Sequence, residues 1–145
     1  MSLFSAIGVS ATGMSVQRVR AEVITQNLAN SETTRTPEGG PYRRRDVVFE
    51  ATIAGGQFGT VLQDQMGQGL TGVQISEIRV DQEKAPQRYL PGHPDADKDG
   101  YVSMPRVNPA EDMVDLMSAS RGYQANIAAV SAVKDMIQRS IELFR

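Results

Sequence analysis

The C-terminal part of the chain carries a long apolar pattern that limits the folds open to this sequence. From Met113 onward, apolar residues advance by alternating steps of three and four, which is the heptad spacing of a helix that packs along its length. Ser120 and Lys134 interrupt the stripe, whose members are Met113, Leu116, Ser120, Tyr123, Ile127, Val130, Lys134, Ile137, Ile141 and Phe144. A helix of about 37 residues would form a rod about 55 Å long.

The residues ahead of this stripe predict where the helix begins. Asn108 has the side chain of a helix N-cap, and Pro109 follows at the first helical position, where a missing backbone N–H costs nothing. Glu111 stands at the third helical position, from which its carboxylate can reach back to the backbone N–H of the cap. We therefore expect a C-terminal heptad helix within residues 108–145, packed against the N-terminal segment.

The N-terminal segment, residues 1–33, contains no proline, and its apolar residues also recur at helical spacing. They form two neighbouring stripes: Ile7, Ala11, Met14, Ala21, Ile24 and Leu28 in one, and Val9, Val16, Val19 and Val23 in the other. This pattern predicts a single helix. Asn27 and Asn30 are predicted to end it by satisfying its last carbonyl groups.

Residues 34–107, between the two predicted helices, lose the helical spacing and hold most of the glycine and proline. Short β-branched or alternating runs within this segment predict four strands, at 46–53, 72–82, 88–90 and 100–104. The predicted fold is mainly α with a small β insertion. Its long terminal helices form an antiparallel, coiled-coil-like hairpin, and a central β-hairpin module with long loops joins them.

An acidic turn precedes the last predicted strand. Asp95, Asp97 and Asp99 alternate ahead of Gly100, as the ligands do in the first half of an EF-hand calcium loop. The twelfth loop position, which needs a bidentate glutamate, is occupied by Arg106. We interpret the segment as a solvated turn in which aspartates bond nearby backbone amides, and expect weak cation binding by the three carboxylates at most.

Composition argues against several classes of function. The formal net charge is −2, which does not favour non-specific nucleic-acid binding. The chain has no cysteine and a single histidine, His93, so thiolate metal sites, disulfides and histidine-based catalytic triads lack their residues. We identify no catalytic constellation, and predict neither an enzyme nor a cofactor. The sequence has no run of about 18 apolar residues and no basic leading segment, so neither a membrane span nor a cleaved signal peptide is expected.

Both predicted helices carry more apolar surface than one helix-to-helix seam would cover. Contiguous apolar patches of this kind normally mark interaction sites. The residues expected to pack within and between subunits are Ile24, Leu28, Met113, Leu116, Tyr123, Ile127, Val130, Ile137 and Ile141. Alternative hypotheses are a compact monomer whose β module covers the surplus, a calcium-binding module, and a stand-alone coiled-coil adaptor.

Four stretches resemble one known family. Both ends, SATGMSVQRVRAEVITQNLANSETT (10–34) and VNPAEDMVDLMSASRGYQANIAAVSAVKDMIQRSIEL (107–143), resemble the terminal segments shared by the axial proteins of the bacterial flagellum. PEGGPYRRRDVVFE (37–50) and YLPGHPDADKDGYVSMPRVN (89–108) resemble, within that family, the proximal rod proteins of the basal body.

The resemblance implies a structural subunit of the proximal rod in the periplasmic space. It implies export through the flagellar type III apparatus without cleavage of a signal, followed by polymerisation into a helical tube. The terminal helices would form the inner layer of that tube, which transmits torque and surrounds the export channel. The implied partners are other copies of the chain, other proximal and distal rod proteins, the inner-membrane ring adaptor and, in transit, the export apparatus.

Overall fold

The computed structural model describes residues 3–53 and 71–143. Two long helices bracket two small antiparallel sheets along the described chain; the helices are α1 (Leu3–Ala29) and α2 (Pro109–Glu142). The sheets pair β1 with β2 and β3 with β4, where the strands are β1 (Arg45–Ile53), β2 (Thr71–Val80), β3 (Gln87–Tyr89) and β4 (Tyr101–Ser103). The predicted mainly α fold with a small β insertion is confirmed, and each strand begins and ends within about two residues of its predicted bounds.

The helices α1 and α2 lie side by side and run in opposite directions, because later positions of α1 meet earlier positions of α2. The facing pairs are Gly13 with Asn126, Gln17 with Gly122, and Arg20 with Asp115. A Cβ atom on Gly13 would lie 2.9 Å from Asn126 Oδ1, and one on Gly122 would lie 3.2 Å from Gln17 Cδ. Glycine on each helix therefore permits this close approach. The coiled-coil geometry expected for the pair stays a prediction.

The face of α2 that packs inward is displaced by one residue from part of the predicted stripe. Asp112, Ala119 and Val133 are buried, and Asn126 is half-buried, so these inward positions recur at steps of seven. Three apolar members of the predicted stripe border this seam and are half-buried: Leu116, Val130 and Ile137. The other apolar members are exposed: Met113, Tyr123, Ile127 and Ile141. Phe144, which completes the stripe, lies outside the described residues.

The β1–β2 hairpin packs against α1. The backbone N–H of Val73 donates a hydrogen bond to Thr12 Oγ1 at 3.2 Å, and a Cβ on Gly72 would lie 3.1 Å from the same oxygen. A bulge between Val48 and Phe49 shifts the register of the hairpin. The Thr12 contacts hold the sheet against α1 at Gly72, a small residue at the start of β2.

Few side chains are fully buried among the described residues. The buried apolar ones are Val16, Val23, Ile24, Val102, Ala119 and Val133. Val102 lies at the centre of β4 and is 1% exposed. No helix in the described part of the chain combines the length and apolarity needed to cross a membrane.

Candidate functional site

Asn27, near the end of α1, joins the helix to the start of β1. Its side chain is 1% exposed, and its Nδ2 donates to the carbonyl oxygen of Arg45 at 2.8 Å. Its Oδ1 accepts from the backbone N–H of Arg45 at 3.0 Å and from the hydroxyl of Tyr42 at 2.9 Å. Burial raises the pKa of Tyr42, with Arg45 opposing this effect and Asp112 adding to it, so the hydroxyl keeps the proton that it donates. The side-chain amide of Asn27 therefore links the end of α1 to the start of β1.

The predicted capping role of Asn27 is corrected by these contacts, because its side chain faces β1 and not the last carbonyl groups of α1. Asn30 does bond the helix end: its Nδ2 donates to the carbonyl of Gln26 at 2.9 Å. A residue's position near a helix end does not reveal which face of the helix its side chain occupies. Asn27 is on the buried face and Asn30 is past the last turn.

At the start of α2, the Oδ1 of Asn108 accepts from the backbone N–H of Ala110 at 3.2 Å, with Asn108 in an extended conformation. Glu111 is exposed, and the described residues show no hydrogen bond from it to the cap. The predicted reciprocal bond from Glu111 is therefore not formed. Its negative charge instead contributes to raising the pKa of Arg44, which lies ahead of β1.

A cluster of ion pairs joins both helices to the segment that leads into β1. Arg44 Nη1 lies 2.9 Å from Asp112 Oδ1, and Arg44 Nε lies 3.2 Å from Asp46 Oδ1. Asp115 Oδ2 lies 3.9 Å from Arg44 Nη2, while Asp115 Oδ1 lies 3.4 Å from Arg20 Nη2. Arg44 thus connects the β module to α2, and Arg20 extends the cluster to α1.

Asp112 is the most deeply buried member of this cluster. Its side chain is 0% exposed, and neither carboxylate oxygen has a well-directed hydrogen bond. Burial raises the pKa of Asp112; Arg44 opposes the rise, while Asp115 and Asp46 add to it. The pKa of Arg44 is also raised, because its hydrogen bond to Asp46 and the charge of Asp112 outweigh the effect of burial. The Arg44 guanidinium is therefore what stabilises the charged form of Asp112.

In the acidic turn, carboxylate oxygens are engaged by the protein itself. Asp97 Oδ1 accepts from the backbone N–H groups of Asp99 at 3.0 Å and Tyr101 at 2.8 Å. Asp95 Oδ2 accepts from Thr34 Oγ1 at 2.8 Å, which ties the turn to the segment after α1. Within residues 3–53 and 71–143, no group of three or more acidic, histidine or cysteine side chains could hold a metal ion. The geometry is that of a structural turn.

Arg106, at the position where an EF-hand would need its last glutamate, also has a structural role. Its Nη1 lies 3.3 Å from Asp81 Oδ2 and pairs with Glu83. Arg43 reaches the same region and donates to the carbonyl of Asp81 at 3.3 Å. These contacts connect the segment before α2 to the end of β2.

Apolar side chains remain exposed along α2. The outer α2 surface consists of Met113, Val114, Met117, Ile127, Met136 and Ile141, which are 44% to 63% exposed. Burying one of these side chains against another chain would stabilise the contact by at most about 1.5 to 3 kcal/mol. These side chains are therefore candidates for contact with other chains.

The residues predicted to pack within and between subunits fall into two groups. Ile24 is buried, and Leu28, Leu116, Val130 and Ile137 are half-buried within the chain, whereas Met113, Tyr123, Ile127 and Ile141 are exposed. Their contacts with other subunits stay a prediction. The sequence analysis did not identify Asp112 as a buried residue. The available signal was its spacing, because Asp112, Ala119, Asn126 and Val133 follow one another at intervals of seven residues.

Replacing Asn27 with alanine should lower the free energy of unfolding by about 3 kcal/mol, because it removes the three hydrogen bonds that this buried side chain makes with Arg45 and Tyr42. Asn30→Ala is the matched control and should cost less than about 1 kcal/mol, since the side chain makes only local bonds, to Gln26 and Thr33, at the end of the helix. Urea denaturation followed by circular dichroism measures both values. Equal losses in the two variants would contradict the assignment of Asn27 as a tertiary junction.

The chain matches known proteins both in its C-terminal segment and over its full length. Residues 98–143 match the family model described as flagellar basal body rod FlgEFG protein C-terminal. Over the full length, the chain is 40% identical to the flagellar basal-body rod protein FlgC of Borreliella burgdorferi, covering 100% of this chain and 99% of that protein. It is 39% identical to the Bacillus subtilis protein of the same name, with 99% of each covered, and 36% identical to that of Salmonella typhimurium, with 99% of this chain and 98% of that protein covered.

Proposed function

The chain belongs to the FlgC family of flagellar basal-body rod proteins, and from this membership we propose that it is a structural subunit of the proximal rod. In this proposal the subunits polymerise through their terminal helices into a helical tube, which transmits torque and surrounds the export channel. The outer α2 surface is the observation that carries the proposal, because its apolar side chains are left exposed by the fold of a single chain.

The two faces of α2 have different neighbours in the proposed tube. The inward face of α2, with Ala119 and Val133 at its centre, is covered within the chain. The outer α2 surface is covered by neighbouring subunits. When the two contacting surfaces of a subunit differ and the rotation between copies does not close, repeated contact produces an open helical assembly. Torque then passes through many packed side chains.

The central module sets the shape that each subunit presents. Arg44, just before β1, forms an ion pair with Asp112 of α2, and Arg45, the first residue of β1, is hydrogen-bonded by Asn27 of α1. Two adjacent residues at the start of β1 are therefore held by different helices. A module fixed at two helices keeps a constant angle to them. Identical subunits need this constancy in order to repeat one set of contacts along a tube.

The proposed partners are other copies of the chain, the other proximal and distal rod proteins and the inner-membrane ring adaptor. The proposed route is the flagellar export apparatus, without a cleaved signal peptide, and the proposed location is the rod within the periplasmic space. The function is proposed to be structural, with no catalytic step, no cofactor and no nucleic acid.

Complementation tests this function directly. In a flagellated strain that lacks its own copy of this protein, expression of the chain should restore swimming. Cryo-electron microscopy of the purified basal bodies should then trace the chain in the rod, beside the inner-membrane ring. Absence from the rod, together with a discrete dimer or trimer at every concentration in solution, would support the coiled-coil adaptor instead.

A further inference from the structure

The β3–β4 hairpin ends in an exposed tip that carries two aromatic rings. Tyr89 and Tyr101 flank the acidic turn, are 61% and 44% exposed, and meet edge to face with their ring centroids 5.3 Å apart. Gly100 lets the Tyr89 ring lie against the turn, because a Cβ atom on Gly100 would lie 2.9 Å from Tyr89 Cε2. Asp97 Oδ1 accepts from the backbone N–H of Tyr101 at 2.8 Å. All of these contacts are made within the hairpin, not with α1 or α2.

Asp99 adds an available carboxylate to this tip. Its side chain is exposed, and no ion pair or hydrogen bond engages the carboxylate in the part of the chain that the structure describes. Tyrosine is frequent among the residues that contribute most to binding at protein interfaces. An aromatic face beside a carboxylate suits a cationic side chain, because the cation can lie on the ring while it pairs with the acid. The chemistry of the tip therefore fits a lysine or arginine of a partner.

A basic pocket lies at the opposite end of the same hairpin. The cavity has a volume of about 240 Å³, and Arg43, Lys84 and Arg106 are among its lining residues. Arg106 is paired with Asp81 and Glu83, whereas no described carboxylate lies within ion-pair distance of the exposed Arg43 or Lys84. Pockets for small-molecule ligands usually exceed about 300 Å³. This smaller cavity with two free cations fits a side chain of another protein better than a small ligand.

We propose that the hairpin tip of one subunit docks at the basic pocket of a second copy, where Asp99 pairs with Lys84 and Arg43 and a tyrosine of the tip lies over the pocket. This inference deepens the proposed rod function and rests on it. A second copy is the partner because one chain carries both of the complementary ends. The tip does not reach the pocket of its own chain, since the three-residue strands hold the two ends about 10 Å apart.

The geometry of this contact suits a rod. The tip and the pocket are different surfaces, so the contact is head to tail and leaves a free tip and a free pocket at the two ends of any row of subunits. A contact of this kind continues from copy to copy and produces an open helical assembly when the rotation does not close. It lies in the central module and so adds to the contacts proposed for the outer α2 surface.

Cross-linking in assembled rods tests the contact directly, because the chain has no cysteine of its own. Lys98→Cys places a thiol on the tip and Gln82→Cys places one at the pocket, and both residues are exposed. In basal bodies treated with a short bifunctional maleimide, the double variant should give a ladder of dimers and larger species. Each single variant should give none. Cross-linking of either single variant to itself, or no ladder from the double variant, would overturn the head-to-tail contact.

A charge exchange tests whether the ion pair contributes to assembly. In a strain without its own copy, Lys84→Glu and Asp99→Lys should each slow the spread of swimming cells at least about threefold, because each places like charges across the contact. The two changes combined in one chain should restore most of the swimming. Single variants that swim as the wild type does, or a double variant that is no better than the singles, would contradict the pairing. If the wild-type chain does not restore swimming, the proposed rod function itself fails.

Discussion

Replacing Arg44 with methionine should lower the free energy of unfolding by about 3 to 5 kcal/mol at pH 7, because it leaves the carboxylate of Asp112 charged and buried without a partner. The Arg44 side chain is 19% exposed and that of Asp112 is 0% exposed, so water cannot replace the lost guanidinium. Arg43→Met is the matched control: Arg43 is exposed, and its loss should cost less than about 1 kcal/mol. Urea denaturation of the three proteins measures these differences.

The cost of Arg44→Met should shrink as the pH falls. The pKa of Asp112 is already raised by burial in the wild type, and removing Arg44 raises it further because the guanidinium opposes that shift. When the folded-state pKa of a carboxyl group exceeds its unfolded value, the folded state binds more protons between the two values, and stability increases as the pH falls through the folded-state pKa. The gap between Arg44→Met and wild type should therefore narrow in mild acid.

A second substitution separates the buried charge from other effects of losing Arg44. Asp112→Asn removes the charge, so in the Arg44→Met background it should recover part of the lost stability at pH 7 and weaken the dependence on pH. A constant deficit between neutral and mildly acidic pH, unaffected by Asp112→Asn, would mean that packing of the arginine stem and not charge compensation holds this junction.

The elements that the sequence predicted well are those whose signals are local. The start of α2 follows from Asn108 and Pro109, which are adjacent to the backbone groups that they affect. The strands follow from β-branched and alternating runs a few residues long. The helices follow from spacing that repeats over many turns. None of these features needs knowledge of a distant partner.

The inward face of α2 was harder to predict because apolarity alone does not show how closely two helices approach. Met113 and Ile127 are more apolar than Gly122 and Asn126, yet the smaller pair faces α1 and the larger side chains remain outside. Glycine brings the backbones together, and a long side chain at the same position would separate them. The inward seam therefore includes small and polar residues that a hydrophobic stripe omits.

The junction residues were missed for a different reason, since their partners are distant in sequence. The side chain of Asn27 bonds the backbone of Arg45, 18 positions away, and that of Arg44 reaches Asp112 on the last helix. A buried aspartate in the first turn of a helix looks the same in sequence as an exposed one that interacts with the helix dipole. Only the folded chain distinguishes these two roles.

Ile127→Asp combined with Ile141→Asp should abolish rod assembly and swimming while the subunit is still made and folded. Both side chains belong to the outer α2 surface, at 44% and 63% exposure, so their carboxylates stay hydrated in the free chain. In an apolar contact between subunits, the same carboxylates would be buried without partners. Gln124→Asp/Gln138→Asp is the matched control, which adds the same two charges at exposed polar positions of α2 and should support swimming.

Folding and assembly are separated by comparing these variants with Val133→Asp. Val133 is 8% exposed on the inward face, so an aspartate there should unfold the helix pair before assembly is reached. The isoleucine variant should instead keep a melting temperature within about 2 °C of wild type. If the isoleucine variant swims, the outer α2 surface does not take part in contacts between subunits. A folding defect matching that of Val133→Asp would assign Ile127 and Ile141 to the interior of the chain.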